Sequence, residues 1–307
     1  MMKLNLENAD SFLMVSESEH NADMYYATGF LAYDSFIYLN SKNEKILVSD
    51  MELGRAQKES GIKDVIPTSR HGIMEKIRKL KDADFAYCMM IIEFLHREDA
   101  GRIAVPYNFP VQLADCIRSE GFKLVPIKSP FRDMREVKNE KEVSAIEKAQ
   151  RTGEKALADG IGAIRKAVIR KGGLWLENTP LTAEYVRAVI ERSLLSMGCE
   201  APDIIIACGK GSSDPHWKGE GQLLADEPIV IDMVPRSKKE RYYSDMTRTV
   251  VRGTPDDELK DMYSAVLESQ AKALKKIKAG KTGSEIHGIV CDVLEERGYE
   301  TGRGKTG

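Results

Sequence analysis

The stretch Ile229–Val251, IVIDMVPRSKKERYYSDMTRTVV, decides how this chain is read. Two runs of β-branched and aromatic residues flank the polar loop PRSKKER, a pattern that predicts an antiparallel hairpin. Each run carries an aspartate, Asp232 and Asp245, thirteen positions apart. An isolated carboxylate is costly to bury in a strand, so the pair needs a reason to be there. Along the second run Asp245, Thr247 and Thr249 share one face, while Met246, Arg248 and Val250 take the other. In a suitable register Asp232 lies opposite or diagonal to Asp245. Two carboxylates that close repel, and one keeps its proton near neutral pH unless a cation compensates. A divalent ion held by oxygen ligands supplies that charge. The spacing leaves a second reading open, in which each aspartate is hydrogen-bonded locally, for example Asp245 to Thr247 or Arg248.

Working outward, the preceding loop SSDPHWKGEG holds His216 beside Trp217 in a setting rich in Gly, Ser and Pro. By itself His216 reads as a surface histidine. Beside a metal-dependent hydrolytic site it would face the substrate carbonyl or a tetrahedral intermediate.

Downstream, Pro255 with Asp256 and Asp257 predicts a helix capped by Thr254 and ended by Gly280; another runs from about Ser284 to Gly298. Upstream, Asn139 followed by Glu142 forms a capping signal for a long helix, and a further helix starts after Thr182. The first third alternates strand-like and helix-like segments. SFIYLNSKNEKILVSD reads as a hairpin, HGIMEKIRKLKDA as an amphipathic helix, and FAYCMMII, GRIAVP and FKLVPI as short buried strands. The charged segment PIKSPFRDMREVKNEKE is the joint, which sets two domains at residues 1–133 and 134–307.

Composition excludes several classes. With 42% apolar and 31% charged residues the chain is an ordinary globular one, and a net charge of −2 points to neither nucleic acid nor anionic membrane. The five cysteines are odd in number and scattered, which argues against a disulfide scaffold or thiolate zinc site and fits a reducing cytoplasm. The N-terminus lacks a signal-peptide core, and the longest apolar run, Phe85–Ile92, is too short to span a bilayer. Two Gly-Lys-Thr segments lack the earlier glycine of a phosphate loop, since Lys275 and Tyr299 stand at that position. His20, His71 and His96 lie in polar surroundings without a ligand-spaced partner, and His287 reads as a helix residue.

VIDMVPRSKKERYYSDMTRTVVRG, preceded by PHWKGEG, resembles the metal-binding hairpin of the Xaa-Pro aminopeptidase and prolidase family, the pita-bread metallopeptidases. HNADMYYATGF and the hairpin after it resemble that family's creatinase-type N-terminal domain, and DMREVKNEKEVSAIEKAQ its opening of the catalytic domain. The resemblance implies an α/β creatinase-like domain followed by an α+β pita-bread domain. It implies Asp232 and Asp245 as metal ligands and His216 as the catalytic, substrate-side histidine. It also implies two divalent ions, Mn²⁺ or Co²⁺, a proline-containing di- or oligopeptide substrate and a homodimer.

Two departures stand out. The loop between the aspartates is slightly longer than usual. The family's remaining ligands, a histidine and two glutamates, would follow Gly307, so the pita-bread domain is expected to be incomplete at its C-terminus and the chain a fragment. Residues 1–307 alone are expected to bind Mn²⁺ weakly and cleave nothing. A non-catalytic pita-bread binding protein and a creatinase-like C–N hydrolase are the alternatives, and retention of both aspartates weighs against each.

Overall fold

The computed structural model describes residues 4–304, so Lys305 and Thr306 of the terminal Gly-Lys-Thr lie outside the described residues. The chain divides into two units, with the break between Lys138 and Asn139.

The first unit runs β1 (Ser11–Ser16), α1 (Ala22–Thr28), β2 (Phe36–Asn40), β3 (Glu44–Val48), α2 (Leu53–Glu59), β4 (Asp64–Pro67), α3 (Ile73–Leu80), α4 (Ala83–Arg97), β5 (Arg102–Pro106), α5 (Val111–Ser119), β6 (Lys123–Ile127) and α6 (Pro130–Met134). Its strands form one sheet in the order β4-β3-β2-β1-β5-β6. The β1–β2 and β2–β3 pairs are antiparallel and the remaining pairs parallel. Side chains alternate across the central strand. Phe12 and Met14 enter a core with Tyr38 and Phe131, while Leu13 and Val15 enter one on the other face with Ile37 and Ile91. Both faces are covered, so β1 and β2 read as nearly unbroken apolar runs.

Three expectations are corrected here. FAYCMMII is not a strand but the middle of α4, a helix of 15 residues whose N-cap Asp82 accepts from the Phe85 N–H. Eight consecutive apolar residues carry no period, so they fit a helix buried nearly all round as well as a strand. Cys88 and Cys116 form a disulfide, with Cα atoms 6.6 Å apart, against the expectation of free thiols. They are separated by 28 positions in sequence, and meet because α4 and α5 pack on the same core. His71 lies in the interior, only 4% exposed, with its ring edge-on to Phe94 at 5.5 Å.

The second unit runs α7 (Glu140–Lys166), β7 (Val168–Arg170), β8 (Gly173–Leu176), β9 (Thr179–Pro180), α8 (Ala183–Ser196), β10 (Cys199–Glu200), β11 (Ile204–Cys208), β12 (Pro228–Met233), β13 (Arg236–Ser237), β14 (Met246–Val251), α9 (Asp257–Lys276) and α10 (Gly283–Glu296). Asn139 and Glu142 close the capping box at the start of α7, and Thr182 caps α8. The two helices pack closely, since a Cβ on Gly160 would lie 2.7 Å from Ile190. Their apolar faces cover one side of a sheet ordered β11-β12-β14, burying Ile204, Ile206, Ile229, Ile231 and Met233.

α9 starts two residues later than expected. Asp256, not Thr254, is its cap, accepting from the Leu259 N–H. The Thr254 N–H is engaged instead by Asp226 Oδ1 at 2.6 Å, which holds it in the turn after β14. The helix ends at Lys276, ahead of Gly280.

Candidate functional site

Along β12 the inward positions Ile229, Ile231 and Met233 are buried, and Asp232 lies half-buried on the opposite face. β12 and β14 pair antiparallel with Asp232 opposite Thr247 and Met233 opposite Met246. The Thr247 hydroxyl donates to Asp232 Oδ1 at 2.6 Å. Asp245 immediately precedes β14, two residues from Thr247 towards the loop, and so takes the position diagonal to Asp232. It is exposed, and among the described residues its carboxylate has no hydrogen-bond or ion-pair partner.

Neither aspartate is therefore buried in a strand, contrary to expectation. The helices cover only the other face of the hairpin, so these carboxylates keep access to water and need no buried counter-charge. The local-bond reading fails for Asp245, because Arg248 Nη1 donates to the Thr247 carbonyl instead. It holds for Asp232 through Thr247, a partner that only the register reveals.

Ser244 fixes the entry to β14. Its N–H donates to the Pro235 carbonyl at 2.8 Å, and its hydroxyl to the Ala149 carbonyl on α7 at 3.2 Å. Gly153 makes room for this approach, since a Cβ there would meet Ser244 Oγ and Met246 Cε at 3.1 Å.

His216 is exposed, and its N–H donates to Asp214 Oδ1 at 3.0 Å. The Ile206 N–H donates to the Lys218 carbonyl, so the loop carrying His216 runs along the edge of β11 away from β12. At the usual strand spacing this puts the loop roughly 10 Å from β12. The two aspartates are thus neighbours, with His216 on the far flank of the same sheet.

The loop is pinned from two sides. Gly219 has φ +77°, and a Cβ there would lie 1.8 Å from the Ile206 carbonyl oxygen, so only glycine fits. Arg187 of α8 donates through Nε to the Ile204 carbonyl at 3.0 Å and through Nη2 to the carbonyls of Lys218 and Gly219 at 2.5 and 2.8 Å. Sequence reasoning missed Arg187, because an arginine on a helix's polar side carries no mark separating it from a solvated one.

A hard divalent ion takes about six oxygen or nitrogen ligands, of which a protein site supplies several. Among the described residues no three of His, Cys, Asp or Glu come together in a way that could hold one. Asp232 and Asp245 offer part of a ligand set, and by themselves do not fit a metal centre.

The Creatinase/Prolidase N-terminal domain family matches residues 3–137, and metallopeptidase family M24 matches residues 144–307. The chain is 29% identical over 283 residues to the Xaa-Pro dipeptidase of Pyrococcus horikoshii, covering 91% of this chain and 71% of that protein. Among solved structures it resembles the X-Pro aminopeptidase from Thermotoga maritima, with a TM-score of 0.78 and 26% identity over 95% of this chain and 76% of that one. The prolidase from Pyrococcus horikoshii gives a TM-score of 0.74 at 26% identity, over 95% of this chain and 74% of that one. The fold is a creatinase-type N-terminal domain followed by a pita-bread domain. With more than half of its residues matched, the chain belongs to metallopeptidase family M24.

Proposed function

We propose that this chain serves a peptidase that hydrolyses Xaa-Pro bonds, of the Xaa-Pro dipeptidase or aminopeptidase type, as a homodimer. The observation that carries the reading is the diagonal pair Asp232 and Asp245 on the open face of the β12–β14 hairpin. The relatives named for Xaa-Pro cleavage support the substrate class. Asp232 and Asp245 are assigned as ligands for divalent ions, Mn²⁺ or Co²⁺, in a centre whose other ligands lie outside the described residues. His216 is assigned to the substrate carbonyl.

The chemistry available to the described residues is limited and specific. Thr247 fixes one oxygen of Asp232, leaving its other lone pairs directed outward. Among the described residues Asp245 has no hydrogen-bond or ion-pair partner. His216 is exposed, so its ring is free to meet a ligand.

The test is hydrolysis of an Xaa-Pro dipeptide by the protein purified from its own cells, with Asp245→Ala alongside. Cleavage lost in the variant supports the assignment. Equal rates in both would remove it and turn attention to a peptide-binding role.

A further inference from the structure

In the first unit β1 and β5 lie side by side and parallel, and their chains leave in opposite directions. β1 continues through α1 to β2 on one side, and β5 through α5 to β6 on the other. Diverging connections open a crevice outside the carboxyl ends of such a strand pair, where open α/β sheets bind ligands. A cavity of about 350 Å³ occupies that place here, lined among others by Ser16, Glu17, His20, Asp23, Asn108 and Arg135. That volume lies at the low end of the range for small-molecule pockets, roughly 300–1,000 Å³.

The lining has two electrostatic ends. Glu17 accepts the His20 N–H through Oε2 at 2.9 Å, and its Oε1 stands 3.5 Å from His20 Nδ1. A carboxylate has about four acceptor positions, so Glu17 retains capacity for a cation. Arg135 grips Asp23 Oδ1 through Nε at 3.0 Å and Nη2 at 2.6 Å. That grip neutralises Asp23 and leaves Nη1 without a bond among the described residues. The Asn108 side chain, from the turn after β5, is exposed and also unbonded among them. A guanidinium edge and an amide recognise a carboxylate, and Glu17 recognises an ammonium.

We propose that this crevice binds a free α-amino acid, its ammonium on Glu17 and its carboxylate on Arg135 and Asn108. The site draws on no residue of the aspartate hairpin, so it stands or falls apart from the proposed peptidase activity. The two functions are linked only chemically, since a peptidase releases amino acids.

The experiment is isothermal titration of the intact protein with L-proline and glycine, in EDTA so that no metal contributes. N-acetylproline, which lacks the ammonium, and pyrrolidine, which lacks the carboxylate, are titrated in parallel. Saturable binding of the amino acids is expected with Kd of about 1 mM or below. Each truncated analogue should bind about tenfold more weakly, the loss of one charge-assisted hydrogen bond. Glu17→Gln keeps an acceptor for the His20 N–H while removing the charge, and should weaken binding by a similar factor. Asn108→Asp, on a different segment, should do the same by repelling the carboxylate. Asp245→Ala should change nothing. Absence of saturable binding, equal binding of the truncated analogues, or binding unaffected by both Glu17→Gln and Asn108→Asp would overturn the proposal.

Discussion

β2 of the first unit is buried along its whole length, whereas β14 of the second opens to solvent at Thr247 and Arg248. The difference separates two uses of a sheet. Where both faces are covered, an inward polar group gains by finding its partner inside the protein. Ser18, 2% exposed, accepts the Ala32 N–H at 2.8 Å and donates to the Phe30 carbonyl at 2.7 Å. On the half-open hairpin water can solvate a carboxylate that has no protein partner, so the group keeps its ligand capacity. Asp245 is the case in point. Stability is built on the covered faces and binding chemistry on the open one.

The largest effect is expected where the two uses meet. Gly219→Ala forces a side chain into the Ile206 carbonyl at a left-handed backbone position. It should cost about 4 kcal/mol, measured by denaturant unfolding. A near-neutral result would mean that the His216 loop is not held against β11. Reducing the Cys88–Cys116 bridge, which closes a separation of 28 residues, should cost the first unit about 3.5 kcal/mol. A thermal melt with and without reductant would show this as a shift of the first unit alone. A coincident shift of both units would blur the comparison.

Smaller changes test the open face itself. Arg187→Ala removes three guanidinium hydrogen bonds to carbonyls of β11 and the His216 loop, and should destabilise by about 2 kcal/mol. In an active preparation it should raise KM more than it lowers kcat, because it acts through the loop. Thr247→Val deletes one hydrogen bond to half-exposed Asp232 and should cost about 1 kcal/mol or less. Its larger signature should be in divalent-ion affinity.

The last effect belongs to the covered side. Burial, reinforced by the Arg97 charge, holds His71 below its ordinary pKa of 6.5. The unfolded chain therefore binds more protons than the folded one below that value. The neutral form's stability is intact above pH 6.5 and is lost as pH falls below it. His71→Phe should flatten this acid-side decline in a series of melts. An unchanged slope would place the decline elsewhere.

Much of this was legible in the residues because local chemistry sets it. The Asn139–Glu142 capping box, the β2–β3 hairpin and the Thr182 cap each rest on contacts between near neighbours. The hairpin joining Asp232 to Asp245 was readable for the same reason. What escaped depends on distant partners. Cys88 and Cys116 meet only after α4 and α5 dock, and α4 itself was hidden by an apolar run without a period. The exposure of Asp245 follows from which face the helices cover, a property of packing rather than spacing. Arg187 matters through three carbonyls at least 17 residues away in sequence.

The most direct test of the open-face assignment is a calorimetric titration of residues 1–307 with Mn²⁺, beside Asp232→Asn and Asp245→Asn. Weak binding that disappears in both variants is the expected result, since two carboxylates supply only part of a ligand set. Tight binding at two sites, or binding that survives both substitutions, would contradict it.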